Sequence, residues 1–209
     1  MGALDTGTFA PGLKSHPYGS QRVFRAALAA LASPAEAVEA DFAGLFAAPP
    51  PLDPAAAALA LTLCDQSCGL WLSPSLAHAG RYFAFHAGAR PSGLREASFA
   101  VAASPAEAPR LSELNPGTEC RPELSATLIV CGALDGDGPA LSAAGPGIRG
   151  PRILSGHGLP PGFVEEWRLA RAQYPLGIDV FLTGRGRLLG LPRTTALELA
   201  GQAGGGACT

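Results

Sequence analysis

Apolar and polar positions alternate along this chain in a way that places most of its elements. Phe24, Ala27, Leu28 and Leu31 recur at helical spacing, so a helix is expected from Ser20, as its cap, to the stop at Ser33-Pro34. That stripe is expected to be its buried face, with Arg22 and Arg25 in solvent. Asp53-Pro54 is an N-cap followed by proline at the first helical position, and predicts an Ala/Leu-rich helix to about Cys64. Leu70-Trp71-Leu72 reads as a short strand, and Ser73-Pro74 opens a helix reaching about His86. Ala97 to Ala102 and Ser125 to Cys131 read as strands, with a weak helix between them from Pro105 to Leu114. Leu141 to Ala144 and Arg152 to Leu154 are shorter strand candidates. Pro161 to Gln173 is an amphipathic helix with Phe163, Val164 and Trp167 on one face.

The strongest pattern is Tyr174 to Thr195. Two apolar runs, Ile178 to Leu182 and Arg187 to Leu191, flank Thr183-Gly184-Arg185-Gly186. Apolar runs joined by a short Gly-bearing loop predict a β-hairpin, and runs this apolar predict burial on both faces. Pro192 ends the second strand because it cannot donate to a ladder. Asp179 lies inside a buried run and needs a partner. In this hairpin it faces about residue 190 or 191, close enough for Arg193 to fold back on it. Helices and strands interleave without strict βα alternation, which predicts a three-layer α/β domain with a mixed sheet.

Composition narrows the picture. The chain has 209 residues, 47% hydrophobic and 15% charged, enough for one substantial core. The expected organisation is an N-terminal arm over 1–17, one α/β domain over 18–198 and a mobile Gly-rich tail over 199–209. So little charge leaves apolar surface, as in a subunit that meets partners. Net charge is −2 without a basic cluster, which argues against nucleic acid. No apolar run reaches the length of a membrane helix. Five cysteines, an odd count, without a signal peptide predict free thiols and a cytoplasmic protein. The opening MGALDT fits the N-myristoylation pattern, but the pattern is short and carries no weight by itself. His16, in the arm, reads as a solvated loop residue.

Several groups invite a chemical reading. Gly145-Pro146-Gly147-Ile148-Arg149-Gly150 matches GxGxxG, yet a strand rather than a helix follows it, so a structural turn is expected. Cys64 and Cys68, with His78 and His86 downstream, do not have the spacing of a usual zinc site, and no metal is expected. Ser155, His157 and Asp179 make a triad only on paper, without a nucleophile elbow. Arg193-Thr194-Thr195, at a strand's carboxyl end, is the best candidate anion site, since arginine and hydroxyls suit phosphate. The competing expectation is that Arg193 pairs with a carboxylate and the threonines cap a turn. No catalytic residue is assigned.

The stretch YPLGIDVFLTGRGRLLGLPRTT resembles the carboxyl-terminal signature of the PhnH family, subunits of the bacterial carbon–phosphorus lyase system. LTLCDQSCGLWLS, RYFAFHAGA, ASFAV, LNPGTECRPELSATLIV and LSAAGPGI resemble further family segments in order, so the likeness spans about Ser20 to Glu198. It implies a fold resembling the large domain of type I PLP-dependent transferases without the cofactor. It implies a homodimer when alone, and a core complex with G, I and J subunits. That complex forms a ribose 1-alkylphosphonate 5-triphosphate from ATP and alkylphosphonate; the cleavage chemistry belongs to the J subunit. The expected role is a non-catalytic or accessory subunit with no cofactor. The single lysine, Lys14, stands in the arm, which argues against a Schiff base with pyridoxal phosphate. The rivals are an autonomous transferase and a phosphate- or phosphonate-binding module using Arg193, Thr194 and Thr195.

Overall fold

The computed structural model describes residues 10–14 and 17–201. His16, the MGALDT motif, Cys208 and the tail beyond Gly201 lie outside the described residues. The elements in chain order are α1 (Tyr18–Ala32), β1 (Ala37–Glu39), α2 (Pro54–Leu63), β2 (Gly69–Leu72), α3 (Gly80–Ala87), β3 (Arg90–Pro91), β4 (Phe99–Ala102), β5 (Thr127–Val130), β6 (Leu141–Ala144), β7 (Arg152–Leu154), α4 (Phe163–Arg171), β8 (Asp179–Gly184), β9 (Arg187–Leu191) and β10 (Ala196–Leu199).

The hairpin expected from the sequence is β8–β9. Gly184 pairs with Arg187, so the loop is Arg185-Gly186, both with positive φ (51° and 65°). Two left-handed residues make the type I′ turn that matches the twist of the strands. The register sets Val180 across from Leu191, so Asp179 lies one residue further out than a partner at 190 or 191 would place it.

Seven strands form one sheet in the order β1-β9-β8-β5-β4-β2-β3. β3, β2, β4, β5 and β8 are mutually parallel, while β9 and then β1 add antiparallel steps at one edge. The sheet is therefore mixed, as the interleaved elements implied. Alternate residues of each strand feed two cores. Ile129, Phe181 and Leu188 join α1, α2 and α3 on one face. Leu128, Val130, Val180, Leu182, Leu189 and Leu191 join α4 and a small antiparallel sheet, β10-β6-β7, on the other. Each fully buried Leu or Phe stabilises the domain by about 1.5–3 kcal/mol.

Asp53 caps α2 as expected, its Oδ1 accepting the Ala55 and Ala56 amides at 2.9 and 3.1 Å. Ala55 to Leu61 are all buried, because this helix lies in the core with no solvent face. The Ser73-Pro74 segment begins as a 3₁₀ turn over Pro74–Ala79 and becomes α-helical at α3. The weak helix at 105–114 resolves into two 3₁₀ turns.

Helix α1 departs from its expected face. It starts at Tyr18 after Pro17, not at a Ser20 cap, and it buries Gly19, Val23, Ala27 and Ala30. Phe24 and Leu28 are 51% and 56% exposed. Small residues face inward because α1 lies directly on β9: a Cβ on Gly190 would stand 2.7 Å from the Ala30 carbonyl. Only alanine and glycine allow that approach, so the large side chains turn outward.

Ala10 to Lys14, within the stretch expected as a loose arm, are held to the domain. The Lys14 amide donates to Leu45 O at 2.7 Å, the Ala47 amide to Pro11 O, and the Tyr82 hydroxyl to Pro11 O.

Candidate functional site

The hairpin brings Asp179 and Arg193 together. Arg193 Nε donates to Asp179 Oδ1 at 3.2 Å and Nη2 to Oδ2 at 2.6 Å, and the Arg193 amide donates to Oδ1 at 2.8 Å. Nη2 also donates to Ser125 Oγ, and Nη1 reaches the carbonyls of Pro122 at 3.0 Å and Pro175 at 3.4 Å. A guanidinium has five N–H donors, and these contacts use all five. The side chains of Arg193 and Asp179 are 15% and 25% exposed. Gly177, at φ 144°, makes room: a Cβ there would lie 3.2 Å from Arg193 Cβ. Arg193 thus ties the entry to β5, the entry to β8 and the exit from β9.

Thr194 and Thr195 do not join a common set of free donors with it. Thr195 is fully buried, its carbonyl accepts Trp167 Nε1–H at 2.8 Å, and its Oγ1 has no partner. The Thr194 carbonyl accepts from Arg171 Nε at 3.3 Å. The location also differs from the expectation. β9 runs antiparallel to β8, so its carboxyl end lies where the parallel strands begin, beside Asp179 and Ser125. Ligands of α/β sheets gather at the opposite edge.

The other candidate groups are dispersed. Asp179 is spent on Arg193, while His157 is buried, with Nε2 at 2.8 Å from Pro139 O and Nδ1 accepting the Leu159 amide at 3.4 Å. Ser155, His157 and Asp179 form no triad. The glycines of 145–150 turn the chain from β6 into β7, with no helix to meet a pyrophosphate. His78 and His86 contact the carbonyls of Pro50 and Ala10 at 2.7 and 2.9 Å. Among the described residues no group of three or more His, Cys, Asp or Glu is arranged to hold a metal. Cys64 is buried, and burial first, then the charges of Cys68 and Asp65, push its thiol pKa up. Burial likewise pushes Cys131 up to about 12.

Two concavities were not foreseen. A mostly apolar groove of about 800 Å³ runs between α4 and the small sheet, past Phe163, Val164, Leu197 and Leu199. It depends on β10, a four-residue strand with one exposed glutamate that follows the Pro192–Thr195 turn and is too short for its pattern to mark it. A smaller cavity of about 300 Å³ lies by Leu134, Ser155, Arg185 and Arg187, where Asp135 and Arg185 pair at 2.7 Å.

The fold and this clamp define a mixed α/β protein whose strongest polar constellation fastens strands to one another. The family model of the bacterial phosphonate metabolism protein PhnH matches residues 11–198. The chain belongs to the PhnH family. It is 40% identical over 185 residues to alpha-D-ribose 1-methylphosphonate 5-triphosphate synthase subunit PhnH of Rhizobium meliloti (strain 1021), covering 87% of this chain and 91% of that protein. It is also 34% identical over 116 residues to the "Putative C-P lyase subunit protein HtxG" of Stutzerimonas stutzeri, covering 54% of this chain and 57% of that one.

Proposed function

We propose that this chain is an accessory, non-catalytic subunit of a carbon–phosphorus lyase core complex. In this reading it acts with G, I and J subunits in forming a ribose 1-alkylphosphonate 5-triphosphate from ATP and an alkylphosphonate, and it is a cytoplasmic homodimer when alone. The observation that carries the reading is the match, at 40% identity over 91% of its length, to a protein named as a subunit of such a synthase. The use of every Arg193 donor within the fold supports a structural role for Arg193-Thr194-Thr195 over the phosphate-binding alternative. No helix of the described residues is long and apolar enough to cross a membrane. The test is genetic. Deleting the gene is expected to stop growth on methylphosphonate as sole phosphorus source and to leave growth on phosphate intact, with the wild-type chain restoring it. Unimpaired growth of the deletion strain on methylphosphonate overturns the reading.

A further inference from the structure

Helix α1 has two faces of opposite character. Gly19, Val23, Ala27 and Ala30 face the core. The exposed positions are Tyr18, Gln21, Arg22, Phe24, Arg25, Leu28, Ala29 and Ala32. Tyr18, Gln21, Arg25, Leu28 and Ala32 follow one another three or four residues apart, so they form one row along the outer face. Phe24 flanks that row, at 51% exposure, with Leu28 at 56% and Tyr18 at 75%. Single exposed apolar residues are ordinary; a row along one helix rimmed by charge marks an interaction surface.

The charges are equally one-sided. α1 carries two arginines and no carboxylate, with no acid in its first turn and no base in its last. Both arginines stand in the middle turns, so pairing with the helix dipole does not account for them. Arg22 leans inward, its Nη2 donating to Asp41 O at 3.2 Å and its guanidinium 5.9 Å from the Phe42 ring centroid. Among the described residues Arg25 makes no ion pair. Towards the carboxyl end the surface is uncharged, with Leu28 beside the small Ala29 and Ala32. Small residues there allow the close axis-to-axis approach of a second helix.

We propose that the outer face of α1 docks a helix of a different subunit, one with an apolar stripe to meet Phe24 and Leu28 and acidic residues to meet Arg22 and Arg25. A second copy of α1 offers no carboxylate for these arginines. The inference rests on the subunit reading above and specifies where the contact is made.

The test is co-expression of the tagged chain with G, I and J subunits, comparing wild type, Leu28→Asp, Arg25→Glu and, on α4, the control Leu169→Asp. Leu169 is 52% exposed and lies on the other side of the large sheet. Leu28→Asp is expected to melt like wild type, to keep its own oligomeric state and to recover less than a tenth of the partner protein. Arg25→Glu is expected to lower recovery about fivefold, and Leu169→Asp to leave it unchanged. Full recovery with Leu28→Asp overturns this surface but spares the subunit role. Conversion of Leu28→Asp to a monomer with partner recovery intact overturns it too, because a second copy is then the occupant. Failure of wild type to recover any subunit overturns the subunit reading, and this surface with it.

Discussion

Asp179 and Arg193 are joined by three hydrogen bonds, two from the guanidinium and one from the Arg193 backbone amide. The pair stands where two parallel strands begin and the hairpin's second strand ends. Removing one partner leaves the other charge buried without compensation. For a buried pair this costs about 3–5 kcal/mol, and the partial exposure here points to about 3. In a domain of this size that lowers Tm by about 6–12 °C. Arg193→Ala is therefore expected to show a large fall in Tm by calorimetry, with assembly lost through misfolding. A variant that melts like wild type and joins the complex, yet fails to support growth on phosphonate, shows that Arg193 belongs to a site.

Trp167 fastens α4 to the start of β10 by its 2.8 Å bond to Thr195 O. Trp167→Phe keeps much of the packing and leaves that carbonyl unsatisfied in the core. The expected cost is about 1–3 kcal/mol, measured as a lower urea midpoint with an unchanged m-value.

Gly190→Ala tests the packing of α1 on β9. The added methyl would meet Ala30 backbone at 2.7 Å, and backbone cannot rotate away. A destabilisation of about 1–3 kcal/mol is expected from overpacking, with unfolding monitored by circular dichroism. A Tm equal to wild type contradicts the close contact.

The buried thiols make stability depend on pH at the alkaline end. Cys131 is pushed up to about 12 from the ordinary 9.0, and Cys64 is raised as well. Above pH 9 the unfolded chain loses these protons and the folded chain keeps them, so the unfolded state binds fewer. Stability is then fully present below pH 9 and falls as pH rises towards 12, by up to about 1.4 kcal/mol per pH unit for each thiol. Cys131→Ala should flatten this slope in denaturant titrations between pH 9 and 11. A slope identical to wild type contradicts the assigned cause. At pH 8, exposed Cys120 should react with a thiol reagent before Cys64 or Cys131 does.

These features differ in how far the sequence disclosed them. The hairpin was legible because two apolar runs flank a loop with two glycines, of which Gly186 takes a left-handed φ of 65°. α2 was legible because Asp53-Pro54 is a local signal that tertiary contacts leave intact. The pairing of Asp179 with Arg193 followed from a carboxylate placed in an apolar run. That β8 joins the parallel strands did not, and this places the end of the antiparallel β9, with Arg193, at the edge where those strands begin. The inner face of α1 was hidden because hydrophobicity ranks Phe24 and Leu28 above glycine and alanine, whereas close approach to Gly190 reverses the order. β1, β3 and β10 have two to four residues each and exist only through their pairing partners, so no periodicity could show them.

This chain is expected to work as a subunit and not as an enzyme by itself. The most direct measurement is purification of the tagged chain from its own cells grown on an alkylphosphonate, followed by turnover of ATP and alkylphosphonate by the chain alone and by the recovered assembly. Fixed stoichiometry with the other subunits is expected, with product formed only by the assembly. The isolated chain, free of those subunits and forming product at the assembly's rate, would contradict this.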